Sequence, residues 1–123
     1  LGEAEFVKRV VDEAECHLLL DINNVYVNAV NFKLDARQYI DTLPLDRVIQ
    51  FHIAGHDVEI ENELLVDTHG APIVDPVYDL LQYTVTKMRR APPILLERDH
   101  AIPPLPELEA EMARIERTVA GAL

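Results

Sequence analysis

Three short apolar runs, each holding a ligand-type polar residue near its end, constrain this chain most. They are HLLLDI (17–22), RVIQFHIAG (47–55) and ILLERD (94–99). Each is followed by a loop and then by helix-patterned sequence. A strand, a helix and another strand, repeated, joins neighbours by crossovers and so builds a parallel sheet. HLLLDI is continuously apolar, as a buried strand is. RVIQFHIAG alternates, so Ile49, Phe51 and Ile53 are expected on one face and Gln50, His52 and Ala54 on the other. One face should pack on apolar helices, and the other should meet a polar interior.

Helical spacing runs through residues 3–14, where Phe6, Val7, Val10, Val11 and Ala14 recur between charges. Asp35 is placed to cap ARQYIDTL (36–43), and Pro44 stops that helix. Asp75 reads as a cap, with Pro76 in the first helical position. Val77, Leu80, Leu81 and Met88 supply the stripe of the helix that follows. Leu105, Leu108, Met112, Ile115 and Val119 mark a last amphipathic helix, read as core packing. After Asn23 and Asn24, VYVNAVNF (25–32) reads as irregular or extended. Some twenty residues beyond Gly55 read as a long loop, and loops of that length are usually functional or flexible.

The class is therefore α/β, a leading helix and three βα units. Polar residues at strand ends match a TIM (β/α)8 barrel, whose active sites lie at the C-terminal ends of the strands. A whole barrel takes about 250 residues. Residues 1–123 are thus expected to form a single partial domain. The chain opens on Leu-Gly inside helix-like sequence, which reads as a piece of a longer protein.

Composition narrows the function. Eleven basic and 22 acidic residues give a net charge of −11, which argues against nucleic acid, since phosphate binding needs clustered Lys and Arg. Glu107, Glu109, Glu111 and Glu116 read as a solvated helix face. Cys16, the one cysteine, cannot form an intrachain disulfide and reads as a small core residue. No apolar run approaches the ~20 residues of a membrane span. A reducing cytoplasm is the default expectation. No P-loop, GxGxxG, GxSxG or CxxC appears.

The chemistry gathers at the strand ends. A buried carboxylate such as Asp21 is costly unless paired, hydrogen-bonded or metal-bound; the alternative is a cap on the following turn. Asn24 is a weaker donor in a residue type common in turns. Gly55 suggests a bend after His52, which would leave His56 in the loop. Taken singly, a histidine is more often a satisfied structural residue than a ligand. Asp67 and His69, at i and i+2, share a face in extended backbone and can chelate one ion. Glu97 ends its strand as Asp21 does, although Arg98 offers a local charge pair instead. His100 reads as a surface residue. Mixed imidazole and carboxylate donors suit iron, manganese or zinc, and the absence of thiolates argues against a zinc knuckle or an iron–sulfur cluster.

LLLDINNVYVNAVN, PLDRVIQFHIAGH, VDTHGAPIVDPVYDLL and LLERDHAIPPLPEL, in that order, resemble the C-terminal half of the multinuclear non-heme iron-dependent oxidative enzymes, the MbnB-like family, formerly one of uncharacterised function. The resemblance implies a xylose-isomerase-like TIM barrel holding two or three iron ions. It implies oxygen-dependent peptide modification, commonly at cysteine, with a partner protein that presents the peptide. Its metal-ligand motifs fall on Asp21, Asn24, His56, Asp67, His69 and Glu97, with His52 in a supporting role. Asp21, His56 and Glu97 would hold iron, and Asp67, His69 and Asn24 a further ion. The family's N-terminal half brings further ligands that this chain lacks. The piece alone is expected to be inactive, with open sheet edges that need the missing half or an oligomer partner. Two other readings are a divalent-metal isomerase or hydrolase on the same barrel, and a non-catalytic fragment or binding module.

Overall fold

A computed structural model describes residues 1–123. In order the chain forms α1 (Glu3–Ala14), β1 (Leu18–Asp21), α2 (Ile22–Phe32), α3 (Ala36–Thr42), a 3-10 turn (Leu45–Arg47) and β2 (Val48–Ala54). A hairpin of β3 (Asp57–Glu59) and β4 (Leu64–Val66) follows, then α4 (Asp75–Met88), β5 (Ile94–Glu97) and α5 (Leu105–Ala122). The main sheet has the order β1-β2-β5 and is parallel throughout. The fold is thus mixed α/β with a parallel sheet.

The register sorts the sheet into two faces. Leu20 pairs with Phe51, and Ile53 with Leu96. Phe51 and Ile53 are fully buried, packed with Val77, Leu81 and Val85 of α4 and Ile115 of α5. Each such side chain removed from water contributes about 1.5–3 kcal/mol. On the opposite face, Asp21 pairs with His52, and Glu97 with Ala54. Two residues back on the outer strands, Leu19 and Leu95 point the same way and stay 46 % and 45 % exposed. That face is therefore largely uncovered.

Several expectations are corrected. VYVNAVNF is helix, not extended chain: α2 starts directly at Ile22. The Asp21 side chain accepts from Asn24 N at 2.9 Å and caps it. Ile22, Val25 and Ala29, at i, i+3 and i+7, are buried. Lys33 closes the helix in the left-handed region (φ 55°). Tertiary burial here overrides the strand preference of Val and Tyr.

Ile49 does not share a face with Phe51. The register steps from Leu18↔Val48 to Leu19↔Gln50, so Ile49 is an extra residue. Val48 is buried in its place, and Ile49 is 54 % exposed. The long loop contains the β3–β4 hairpin, clamped from α2. The Asn31 amide donates to Leu65 O and accepts from Leu65 N, both at 2.9 Å.

At α4 the cap is Val74, and Asp75 is the first helical residue, one position later than its role in the sequence reading. Cys16 is exposed rather than in the core, because it lies in the turn after α1. The α5 stripe is only partly used: Ile115 is buried, but Leu105 is 66 % exposed. β1, expected to be buried, and β5 are likewise only part-buried, each an edge strand with one neighbour. Glu111 is no solvated residue; it pairs with Arg98 at 3.2 Å and accepts from Ile73 N at 3.1 Å.

Candidate metal centre

Four segments bring polar side chains to the C-terminal end of the sheet. β1 ends on Asp21, β2 carries His52, β5 ends on Glu97, and the strand β4 leads straight into Asp67-Thr68-His69. Asp21, His52 and Glu97 each place one ligand atom within 4.8 Å of the others'. Asp21, Asp67 and His69 do the same. The two donor sets share Asp21.

Ion-pair distances run through both sets. His52 Nδ1 lies 3.1 Å from Glu97 Oε1. His69 Nε2 lies 3.1 Å from Asp67 Oδ1, and its Nδ1 lies 3.0 Å from Asp99 Oδ2 and 3.5 Å from Glu97 Oε2. Glu97 does not pair with Arg98, whose guanidinium turns to Glu111 and Ala101 O. Glu97 Oε2 is buried without a hydrogen-bond partner.

Charge is concentrated here. Burial raises the Asp21 pKa; its bond from Asn24 N pulls the other way, and the Asp67 and Glu97 carboxylates add to the rise. For His69, burial disfavours the imidazolium, but Asp67, the Asp99 bond and Glu97 outweigh it, and its pKa is raised. His69 also sits in the left-handed region (φ 55°). Such a conformation costs free energy in a residue with a Cβ, and is retained where the surroundings fix it.

His56 and Asn24 stand beside these sets rather than in them. His56 Nδ1 is 2.8 Å from Asn23 Oδ1 in a buried contact, and the Tyr26 ring centroid lies 5.5 Å from its own. Burial holds the His56 pKa below the usual range, against the pull of Asp67 and Asp57. Asn24 is exposed. Its Nδ2 donates to Asp67 Oδ2 at 3.2 Å, and its Oδ1 accepts from Asn28 at 3.1 Å. His100 is exposed, as expected, with its ring packed on Gly70.

Two polar residues of the site are not among the expected ligands. Asn23, fully buried at the start of α2, bonds His56 and Asp67 at once. Asp99 holds His69 from the β5 side. The cap spacing from Asp21 to Asn24 was a signal for α2, and hence for an inward Asn23. Asp99 had no signal beyond its nearness to Glu97.

The donor chemistry fits a cation. Three carboxylates and two imidazoles meet, Asp67 and Glu97 pair with histidines rather than with a Lys or Arg, and a buried Glu97 oxygen makes no hydrogen bond. Carboxylate and imidazole together are the donors of a divalent transition metal.

Comparison with known proteins gives the family. A family model described as RiPP precursor modification enzyme MbnB/TglH/ChrH matches residues 1–120. A UPF0276 protein of Acinetobacter baylyi is 51 % identical over 116 residues, covering 94 % of this chain and 40 % of that protein. One of Pseudomonas aeruginosa is 52 % identical over 115 residues, covering 94 % and 40 %. One of Neisseria meningitidis is 50 % identical over 116 residues, covering 94 % and 41 %. The chain thus spans about two fifths of the length of the curated relatives it matches.

Proposed function

Because this chain belongs to the MbnB/TglH/ChrH family of RiPP precursor modification enzymes, we propose that the full-length protein is an iron-dependent enzyme that oxidises a ribosomally made peptide at cysteine. The parallel sheet with one bare face supports its being part of a (β/α)8 barrel, with the bare face turned to the barrel interior. The remaining strands would cover Leu19 and Leu95 and occupy the open edges of β1 and β5.

The observation that carries the proposal is the double donor set joined at Asp21, with Glu97 Oε2 buried and making no hydrogen bond. Asp21, His52 and Glu97 would hold one ion. Asp67 and His69 would hold a second, with Asp21 placed to serve both. His56 and Asn24, each one hydrogen bond from the Asp67 network, would complete the ligands. Iron bound there would supply the electron transfer to dioxygen that oxidation of a thiol requires.

The chain's own residues do the positioning. Asp99 accepts from His69 Nδ1, which leaves Nε2 on the Asp67 side. Asn24 and Asn23 each donate to one Asp67 oxygen, fixing the rotation of that carboxylate. A partner protein presenting the peptide is part of the same proposal.

The test is metal content and dioxygen uptake of the full-length protein purified without oxygen, beside its Asp21→Ala and His69→Ala variants. Expected are two or more irons per chain, fewer in each variant, and oxygen consumption only with peptide present. Full activity with zinc in place of iron would refute the oxidative reading.

A further inference from the structure

Asn23 is a fully buried side chain whose amide contacts three groups. Its Nδ2 donates to Asp67 Oδ1 and, at 3.5 Å, to Gly55 O. Its Oδ1 lies 2.8 Å from His56 Nδ1. A peptide carbonyl is only an acceptor, and an ionised carboxylate likewise. The amide nitrogen must therefore face Asp67 and Gly55, and the amide oxygen must face His56. That orientation is set by chemistry, since an inverted amide would turn an oxygen on two acceptors.

The consequence passes to the imidazole. An amide oxygen accepts and cannot donate, so the proton shared with it resides on His56 Nδ1. In neutral imidazole, the form that binds metals, only one nitrogen carries a proton. The lone pair is then on Nε2.

We propose that Asn23 is a positioning residue that sets His56 as the Nδ1–H tautomer, leaving Nε2 as its one metal-binding nitrogen, while orienting the Asp67 carboxylate in the same contact. One amide thereby couples a histidine at the end of β2 to a carboxylate at the end of β4. Its purpose rests on the metal-centre reading above, but its chemistry does not. The surroundings support a fixed geometry. The backbone at Gly55 lies so close to Ala71 O that a Cβ would overlap it, so the acceptor at Gly55 is held in place. Tyr26, three residues after Asn23 on α2, packs beside the His56 ring.

The experiment uses full-length protein labelled with 15N-histidine, metal-free, with His56 assigned from a His56→Gln variant. The nitrogen shifts report which ring nitrogen is protonated. Expected for the unaltered protein is a protonated Nδ1 and a bare Nε2. Asn23→Leu keeps the branched skeleton and removes the acceptor; His56 should then redistribute its proton toward Nε2. Mn2+ titrated as the probe ion should bind Asn23→Leu tenfold or more weakly, the scale of loss for a residue that orients a ligand. A proton on Nε2 in the unaltered protein would overturn the proposal whether or not any variant folds. So would an unchanged tautomer in Asn23→Leu. If the unaltered protein takes up no Mn2+, the metal reading fails while the tautomer measurement still decides the role of Asn23.

Discussion

Replacing Asp21 by Asn should make the metal-free protein more stable and the metal-loaded protein less so. Ligand atoms of Asp21 lie within 4.8 Å of those of both Asp67 and Glu97. Two unit charges at that separation repel by ~0.9 kcal/mol in water and ~3.5 kcal/mol at an effective dielectric of 20. Burial adds to the two repulsions, attraction to a protonated His69 offsets only part of them, and Asp21 is only half-buried. Screening leaves a net penalty of about 1–2 kcal/mol in the absence of a cation. Asn relieves it and, as an N-cap equal to Asp, keeps the bond from Asn24 N that starts α2. The assay is thermal unfolding of full-length protein at pH 8, with chelator and then with Mn2+. In chelator, Asp21→Asn should melt above the unaltered protein, by about 2–4 °C for each kcal/mol at 150–250 residues and somewhat less in a longer chain. Mn2+ at 100 times its dissociation constant adds about 2.7 kcal/mol to the binding-competent protein. A variant weakened 100-fold gains only about 0.4 kcal/mol, so the order should reverse. An Asp21→Asn protein that is less stable in chelator would refute the reasoning, because it would mean that the carboxylates are not in conflict.

Gly55→Ala should cost about 1–3 kcal/mol, as overpacking does, because the added Cβ meets backbone atoms of Ala71 and Pro72; a urea midpoint shift worth less than about 0.5 kcal/mol would refute the close approach. Asn31→Ala should speed hydrogen exchange at the Leu65 amide while leaving the global urea midpoint little changed, since two bonds worth about 1 kcal/mol each hold a peripheral hairpin. Tyr39 is half-buried and donates to Glu3 at 2.9 Å; burial first, then that bond and the Glu3 charge, raise its pKa. The stability it contributes is therefore present below the unfolded phenol value of about 10 and is lost as pH climbs above it. Tyr39→Phe should remove the last-titrating phenolate seen by ultraviolet absorbance, and its persistence would contradict the assignment.

Much of the frame was legible because it follows from period and punctuation. The strands at 17–22, 47–55 and 94–99 and the helices of α1, α3 and α4 announced themselves by spacing, caps and prolines, and their alternation implied the parallel sheet that is found. The strand-end rule likewise named Asp21, His56 and Glu97 as candidates, and the i, i+2 spacing named Asp67 and His69. α2 was hidden because its residues favour strands individually, and only burial of Ile22, Val25 and Ala29 pays for the helix. With α2 unseen, Asn23 read as a turn residue. The bulge at Ile49 was invisible for a different reason: strand alternation carries no mark of one inserted residue. Glu111 and Arg98 lie 13 residues apart, so their pairing depends on how α5 folds back over β5, which no local pattern encodes.

The Asn31 clamp has a consequence for where this fold can grow. Its two bonds fix β4 at Leu65, two residues before Asp67. Residues 60–63, at the hairpin turn, lie on the far side of that anchor and are exposed. Extra residues inserted there meet only loop-closure entropy, about 0.6 kcal/mol for each doubling of length. An insertion between Val66 and His69 would instead part Asp67 and His69 from the strand ends they meet. The hairpin turn is thus a place where relatives can differ in length, and acquire surface for other molecules, without disturbing the donor set.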